Sequence, residues 1–127
     1  MYAHVLFKNK HVNDNYGHQE GDAVIIALAN ILHSEKSVYS ERFSAGRWGG
    51  EEFMLLLHDT DVSAAAFIAD LIRQCFANTN FPMVRAQTVS LGATQAKEDD
   101  TIDTLCTRVD TALYKAKKSG KNRVVVI

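Results

Sequence analysis

Residues 47–57 read RWGGEEFMLLL, and they decide how the rest of the chain is interpreted. Two glycines and two glutamates, at positions 49–52, separate a strand-like run at 39–48 from another at 53–58. Short β-runs joined by a few residues that include glycine are typical of a β-hairpin. The pattern therefore predicts a hairpin that carries two adjacent negative charges at its tip.

The segments on either side of this hairpin alternate between helical and strand-like patterns. Apolar residues recur at helical spacing in three stretches, 22–35, 64–78 and 102–120. Further strand-like runs occupy 2–7, 84–93 and 123–127. The order strand, helix, hairpin, helix, strand, helix, strand predicts an α+β fold, with a mostly antiparallel central sheet of about five strands and helices on its faces.

Turn and capping residues mark the ends of the predicted helices. Asp22 precedes the first helix, residues 59–63 (DTDVS) precede the second, and Asp99, Asp100 and Thr101 precede the third. Lysines gather in the last turn of the third helix and Gly120 follows them, as expected at a helix C-terminus. The helix boundaries are therefore predicted by local side-chain chemistry as well as by periodicity.

The composition predicts one globular domain over residues 1–127. An apolar fraction of 46% with 23% charged residues is typical of a protein with a packed core. The chain opens directly in strand-like residues, so we expect a domain cut from a longer, multidomain protein. A net charge of -1 provides no field for holding nucleic acid or an anionic membrane, and neither is expected as a partner.

Two further features predict a cytoplasmic domain. Cys75 and Cys106 lie far apart within apolar helical patterns, without the close spacing of a zinc or redox site, and we expect both to be buried free thiols. The longest apolar runs fall far short of the ~20 residues that span a bilayer. No membrane contact is therefore expected from this segment.

The two glutamates of the hairpin admit two interpretations. Adjacent residues of a strand point to opposite sides, but a turn can direct one carboxylate to a metal ion and leave the other beside it. The simpler interpretation is a solvated acidic turn. Gly49 and Gly50 favour the first, because they let a ligand approach the backbone closely.

Four blocks of this sequence resemble one known family. Residues 49–53, GGEEF, resemble the signature of the GGDEF family, the bacterial diguanylate cyclase domains. Residues 12–22 (VNDNYGHQEGD), 89–94 (VSLGAT) and 110–122 (DTALYKAKKSGKN) resemble its other blocks at the right distances. The resemblance spans almost the whole chain.

The resemblance implies a nucleotidyl cyclase, palm-like fold and a role in bacterial second-messenger signalling. Two such domains, in a homodimer, each hold GTP with Mg²⁺ or Mn²⁺ and join the two nucleotides into cyclic di-GMP. Two pyrophosphates leave. In such a transferase, catalysis consists mostly of alignment and neutralisation of charge.

The resemblance also assigns roles to individual residues. Glu51 is the metal ligand and a catalytic residue, and Glu52 is its catalytic neighbour. The residues implied to bind substrate are Lys10, Asn13, Asp22, Gly49, Gly50, Lys117 and Lys121.

Simpler roles stay open for four of these residues. Asn13 and Asp22 resemble the pair that reads guanine, yet Asn and Asp also shape turns and cap helices. Lys117 and Lys121 match phosphate-binding positions, yet lysines at a helix C-terminus also complement its dipole.

The first strand departs from the family pattern. The family carries an Asp-x-Asp pair at the end of this strand, whose first member is the second protein ligand of the metal. Counting back from Asn13 places that pair at Val5 and Phe7, and aligning on Phe7 and Lys8 places it at Ala3 and Val5. Neither alignment supplies a carboxylate, so impaired activity is expected.

Three functions follow from these observations. The first is a diguanylate cyclase domain with impaired activity. The second is a degenerate GTP-binding regulatory domain that controls an associated cyclic di-GMP enzyme. The third, a purely structural dimerisation module, leaves the joint presence of Asn13, Asp22, Lys117 and Lys121 unexplained.

Overall fold

A computed structural model of the chain describes residues 2–8, 26, 30, 43–49, 52–78 and 88–127. Within them the elements are β1 (Tyr2–Lys8), β2 (Phe43–Gly49), β3 (Glu52–His58), α1 (Val62–Ala77), β4 (Leu91–Gln95), α2 (Ile102–Lys118) and β5 (Val124–Val126). Ile26 and Asn30 are helical and belong to the helix predicted at 22–35, whose other residues lie outside the described part. Within the same described ranges, no helix combines the length and apolarity needed to cross a bilayer.

The strands form one sheet in the order β2-β3-β1-β4-β5. Strand β1 lies at its centre and pairs antiparallel with both β3 and β4, and β2 pairs antiparallel with β3. The edge strand β5 pairs parallel with β4, which requires a crossover, and α2 supplies it. The predicted α+β architecture, with a mostly antiparallel sheet of about five strands, is confirmed.

The two helices cover opposite faces of the sheet, because β1 alternates its side chains between them. Ala3, Val5 and Phe7 are fully buried in the larger core, which includes α1, and Leu6 packs in a smaller core with α2. Fully burying a side chain the size of Val or Phe contributes about 1.5–3 kcal/mol to folding. Central strand β1 is therefore held by packing on both faces.

The register between β1 and β3 is fixed by this packing. Val5 pairs with Leu55 and Phe7 with Phe53, and all four side chains lie in the larger core. The rings of Phe7 and Phe53 stack with centroids 5.4 Å apart and planes 7° from parallel. A slip of one residue would move every one of these side chains to the other face of the sheet.

The helix boundaries confirm the capping chemistry predicted for them. Asp61 caps α1 by accepting a hydrogen bond from the Ala64 N–H at 2.8 Å. Thr101 caps α2 in a reciprocal capping box with Thr104. Gly120 follows α2 with a φ of 126°, a conformation that favours glycine.

Two boundaries differ from the predictions. Strand β4 begins at Leu91 rather than at 84; residues 88–90 are not in a strand, and 84–87 lie outside the described residues. Gly49 and Glu52, predicted in the hairpin tip, are strand residues that pair with each other beyond a bulge in β2. Residues 39–42, predicted as the start of β2, lie outside the described part.

Cys75 also departs from the prediction, because it is exposed rather than buried. Ile72 and Phe76 take the inward-facing positions of that turn of α1, and both are fully buried. The helical period then places Cys75 on the solvent side. Cys106 is partly buried, and both thiols are free.

Arg108 of α2 links the C-terminal end of β4 to the residues that precede α2. Its guanidinium donates to the Thr94 hydroxyl at 2.7 Å and to the Gln95 carbonyl at 2.8 Å. It also forms a forked pair with Asp100, at 2.9 and 2.5 Å, and this hydrogen bonding holds the Asp100 pKa well below its usual range. Burial, and secondarily the Arg108 charge, lowers the pKa of nearby His4.

Helix α2 lies close against the sheet at Gly92. A methyl group added there would meet the backbone N of Leu113, and would lie 2.6 Å from the backbone O of Val109. These are main-chain atoms of a helix and cannot rotate away. Close contact between α2 and β4 therefore requires glycine at this position.

We predict that Gly92→Ala lowers the free energy of unfolding by about 3 kcal/mol, because the helix must move off the sheet. Gly46→Ala is the matched control, since a methyl group there meets nothing within 4 Å. The control is expected to change stability by less than about 0.5 kcal/mol. Chemical denaturation of both variants checks this, and equal stabilities would contradict the close approach.

Val5 is the second test of the packing. A carboxylate at this fully buried position would lose its hydration inside the core. Val5→Asp is therefore expected to lower the free energy of unfolding by more than about 4 kcal/mol. Val5→Ala, which shortens the side chain without adding charge, is expected to cost about 2 kcal/mol. Denaturant titration separates the two; a Val5→Asp protein as stable as Val5→Ala would place Val5 outside the core.

Candidate functional site

The acidic hairpin lies at the end of the sheet where β1 stops. Lys8, the last residue of β1, pairs with Glu52, the first residue of β3. On the other side of β3, Gly49 also pairs with Glu52. Lys8, Glu52 and Gly49 thus occupy neighbouring strand positions. We call this end of the sheet the Lys8–Glu52 end.

Helix α2 runs toward the same end. Arg108, near its start, bonds Thr94, which pairs with His4 of β1. One turn later, the helix backbone lies against Gly92, which pairs with Leu6. Helix α2 is therefore parallel to β1, and its last turn points to the Lys8–Glu52 end.

This direction brings Lys117 level with the end of β1. Lys117 follows Leu113, which packs on Leu6, by four residues, or about 6 Å along a helix. Lys8 follows Leu6 by two residues, or about 6.6 Å along a strand. Lys117 is half-buried, so its long side chain is held near this edge rather than extended freely into solvent.

The turn after α2 places Lys121 at the same end of the sheet. Its N–H donates to the Ala116 carbonyl at 3.0 Å, and its φ of 62° lies in the left-handed region. The next residue, Asn122, donates its N–H to the Ser90 hydroxyl at 3.2 Å and accepts from Arg73 of α1 at 3.0 Å. The turn is therefore tied to both β4 and α1, although the Lys121 side chain is exposed.

An open pocket of about 250 Å³ lies between α2 and the sheet beside Glu52. Its floor is apolar and its walls carry two carboxylates, those of Glu52 and Asp110. The lining residues are Leu6, Glu52, Met54, Cys106, Thr107 and Asp110.

The structure thus places four of the residues predicted for the site at the same end of the sheet. These are Gly49, Glu52, Lys117 and Lys121. The other five lie outside the described residues, so the roles predicted for them stay predictions: Lys10, Asn13, Asp22, Gly50 and Glu51.

Sequence reasoning missed two charged residues at this edge. Lys8 gave no signal, because only the register of β1 against β3 reveals that it pairs with Glu52. Asp110 lies in a block that carries the family resemblance, and its helical position relative to Lys117, seven residues later, predicts a shared face. The pairing of strands, unlike helical spacing, cannot be read from a local pattern.

The described residues do not fit a protein-held divalent ion at this edge. Strand β1, YAHVLFK, contains no carboxylate. The sequence predicts that the family's aspartate positions fall on Ala3, Val5 and Phe7, and these three residues are fully buried in the core. Across the described segments, no group of three or more His, Cys, Asp or Glu side chains is arranged to hold a metal ion.

The chain is similar in sequence to curated diguanylate cyclases. Diguanylate cyclase DgcM of Escherichia coli K12 is 44% identical over 116 residues, covering 91% of this chain and 28% of the relative. Diguanylate cyclase A of Treponema denticola is 35% identical over 125 residues, covering 95% of this chain and 32% of the relative. This chain spans less than a third of the length of either relative.

Solved structures show the same fold. The active GGEEF domain of a Vibrio cholerae diguanylate cyclase superimposes with a TM-score of 0.83 at 35% identity, covering 98% of this chain and 81% of that one. The GGDEF domain of Caulobacter crescentus DgcB, in complex with c-di-GMP, gives a TM-score of 0.84 at 29% identity, covering 98% and 76%. The nucleotidyl cyclase fold implied by the sequence is confirmed.

A family model described as "Diguanylate cyclase, GGDEF domain" matches residues 6–123. The match includes the acidic hairpin, the strand β1 end and the last turn of α2. Together with the relatives and the solved structures, it establishes the family: this chain belongs to the GGDEF domain family.

Proposed function

We propose that this chain is a diguanylate cyclase domain that binds GTP at the Lys8–Glu52 end of the sheet. It condenses two GTP molecules into cyclic di-GMP and releases two pyrophosphates. The observation that carries the proposal is the convergence of Glu52, from the family signature, and Lys117, from the last turn of α2, at one end of the sheet. The substrate and product follow from the family.

The proposed chemistry is an attack by the ribose 3'-hydroxyl of one GTP on the α-phosphorus of the other. The new O–P bond forms as the bond to pyrophosphate breaks, and a second, symmetrical attack closes the ring. Two domains must face each other to align both nucleotides, so the active form is a homodimer. Holding the reactants in this geometry is the main catalytic contribution expected of the protein.

The residues of this chain would divide the work. Lys117 neutralises negative charge on the phosphates, and Lys121 and Lys10 add to it. Glu52, which belongs to the hairpin, accepts the proton of the attacking 3'-hydroxyl. Asn13 and Asp22 read the guanine edge, since an amide and a carboxylate complement its carbonyl and N–H groups.

Diguanylate cyclases of this family use divalent metal ions. For this chain we propose Glu51 as the residue that interacts with Mg²⁺ or Mn²⁺ accompanying the GTP, because it holds the matching position of the signature. Strand β1 adds no carboxylate to this proposed ligand.

The absence of a carboxylate from strand β1 favours a second function. A GTP-binding regulatory domain that controls an associated cyclic di-GMP enzyme would keep the pocket and lose the reaction. Such a domain needs Lys117 and the guanine-reading pair but not a carboxylate at the end of β1. Either function suits a cytoplasmic domain of a longer sensor protein, in which 1–127 is a single unit.

Product analysis tests the first function. We predict that the purified chain, incubated with GTP and Mg²⁺ or Mn²⁺, yields cyclic di-GMP and pyrophosphate by chromatography. Glu51→Ala and Glu52→Ala are each expected to lower the rate at least about 100-fold, because charge neutralisation and alignment are lost. Glu98→Ala, an exposed glutamate in the loop at the opposite end of the sheet, is the matched control and is expected to retain full activity.

The outcomes separate the two functions. Saturable GTP binding by calorimetry, without product from the unaltered chain, would contradict the cyclase and support the regulatory domain. Product formation that survives both hairpin substitutions would contradict the proposed site. Absence of GTP binding under any condition would contradict both functions.

A further inference from the structure

The turn that follows α2 has an unusual backbone conformation. Gly120, Lys121 and Asn122 have φ angles of 126°, 62° and 49°. Residues other than glycine disfavour positive φ, because the Cβ atom comes too close to the following carbonyl oxygen. Such a conformation persists only where the surrounding structure imposes it, and it is concentrated at functional sites. Lys121 adopts it at the position proposed to meet the phosphates.

Hydrogen bonds to the main chain hold this turn in place. The Lys121 N–H donates to the Ala116 carbonyl at 3.0 Å, and the Lys121 carbonyl accepts from Nε of Arg123 at 3.1 Å. The Asn122 N–H donates to the Ser90 hydroxyl at 3.2 Å, and Ser90 is only 6% exposed. Both main-chain polar groups of Lys121 are therefore engaged within the protein.

Helix α1 adds a side-chain contact with the same turn. Arg73 donates from Nη1 to Oδ1 of Asn122 at 3.0 Å. Its Nε donates to the Asp70 carboxylate at 2.7 Å, and Gln74 donates to the other oxygen of that carboxylate, also at 2.7 Å. Because the guanidinium is planar, the bond at Nε orients the group that reaches Asn122. We call Asp70, Arg73 and Asn122 the turn anchor.

The turn anchor bears on Lys121 through the backbone. Asn122 is the next residue, so a bond to its side chain restricts the turn that contains Lys121. The lysine side chain is a flexible four-carbon stem, and the region that its ammonium group can reach depends on the direction of the Cα–Cβ bond. A turn that left the left-handed region would change that direction.

We infer that the turn anchor positions Lys121 for the triphosphate, so that Arg73 of α1 controls phosphate binding without contacting the nucleotide. The inference rests on the proposed function, which gives Lys121 its role at the phosphates. Arg73 and Asn122 are then positioning residues, and Lys121 is the residue that touches the substrate. A tie that only stabilised the fold would leave phosphate binding unaffected in a folded variant.

Calorimetric titration of the variants with GTP tests the inference. Lys121→Gln removes the charge, and it is expected to weaken GTP binding about tenfold. Arg73→Met is expected to weaken it about fivefold, because Lys121 is no longer held in position. In the Lys121→Gln background, Arg73→Met is expected to add less than about 1.5-fold, since both changes act on one contact. Circular dichroism establishes that each variant is folded.

Guanosine, which carries no phosphate, separates positioning of Lys121 from a general loosening of the site. Its affinity, measured by NMR chemical-shift titration, is expected to differ by less than about twofold between Arg73→Met and the unaltered chain. Equal losses of affinity for GTP and for guanosine would overturn the inference.

Two further variants control for backbone strain and for charge. Asn122→Gly removes the acceptor of the Arg73 bond and adopts a positive φ without strain, so it is expected to weaken GTP binding as much as Arg73→Met does. Lys115→Met removes the same charge from an exposed position in the last turn of α2, and it is expected to change GTP affinity by less than about twofold. A fivefold loss in Lys115→Met would assign the effect to net charge and overturn the inference.

Failure of the inference and failure of the proposed function give different results. Unchanged GTP affinity in Arg73→Met, or a further fivefold loss in the Lys121→Gln background, would overturn the inference and leave the proposed function intact. Absence of GTP binding by the unaltered chain would contradict the proposed function, and with it the inference.

Discussion

The register of β1 against β3 is the constraint on which the rest of this structure depends. It is fixed by a run of paired core residues, Val5 with Leu55 and Phe7 with Phe53, and by the stacking of the two phenylalanine rings. Because strands alternate their side chains, a slip of one residue would expose this whole row. The same register pairs Lys8, rather than an acidic residue, with Glu52 of the hairpin.

The rest of the site follows from elements packed against that central strand. Glycine at position 92 lets α2 lie close on β4, and the Arg108 pair with Asp100 holds the start of the helix at the far end of the sheet. Because the start of α2 is fixed and the helix runs parallel to β1, Lys117 in its last turn lies at the Lys8–Glu52 end. Charged groups distant in sequence thus converge without any local motif that joins them.

Much of the fold was predictable because its signals are local. Capping side chains such as Thr101 and the periodicity of α2 predicted that helix to within two residues, and the glycines at 49–50 predicted the hairpin. The strand pairing was not predictable in detail. Counting along the chain placed the family's metal-binding aspartate at Val5, yet Val5 is buried in the core, and only long-range pairing shows that Lys8 meets Glu52.

The candidate site was predictable in part for the same reason. Gly49, Glu52, Lys117 and Lys121 were singled out by resemblance, and the structure places them at one end of the sheet. The exposure of Cys75 escaped prediction because apolar neighbours on α1 mask which face is inward. Membership of the GGDEF domain family accounts for the shared geometry, while β1 distinguishes this chain within that pattern.

The central claim is that the Lys8–Glu52 end of the sheet binds the triphosphate of GTP beside Lys117. A crystal structure with a non-hydrolysable GTP analogue tests it most directly. The account predicts phosphate oxygens within hydrogen-bonding distance, about 2.7–3.2 Å, of the Lys117 ammonium group. Phosphates bound elsewhere on the protein would contradict it.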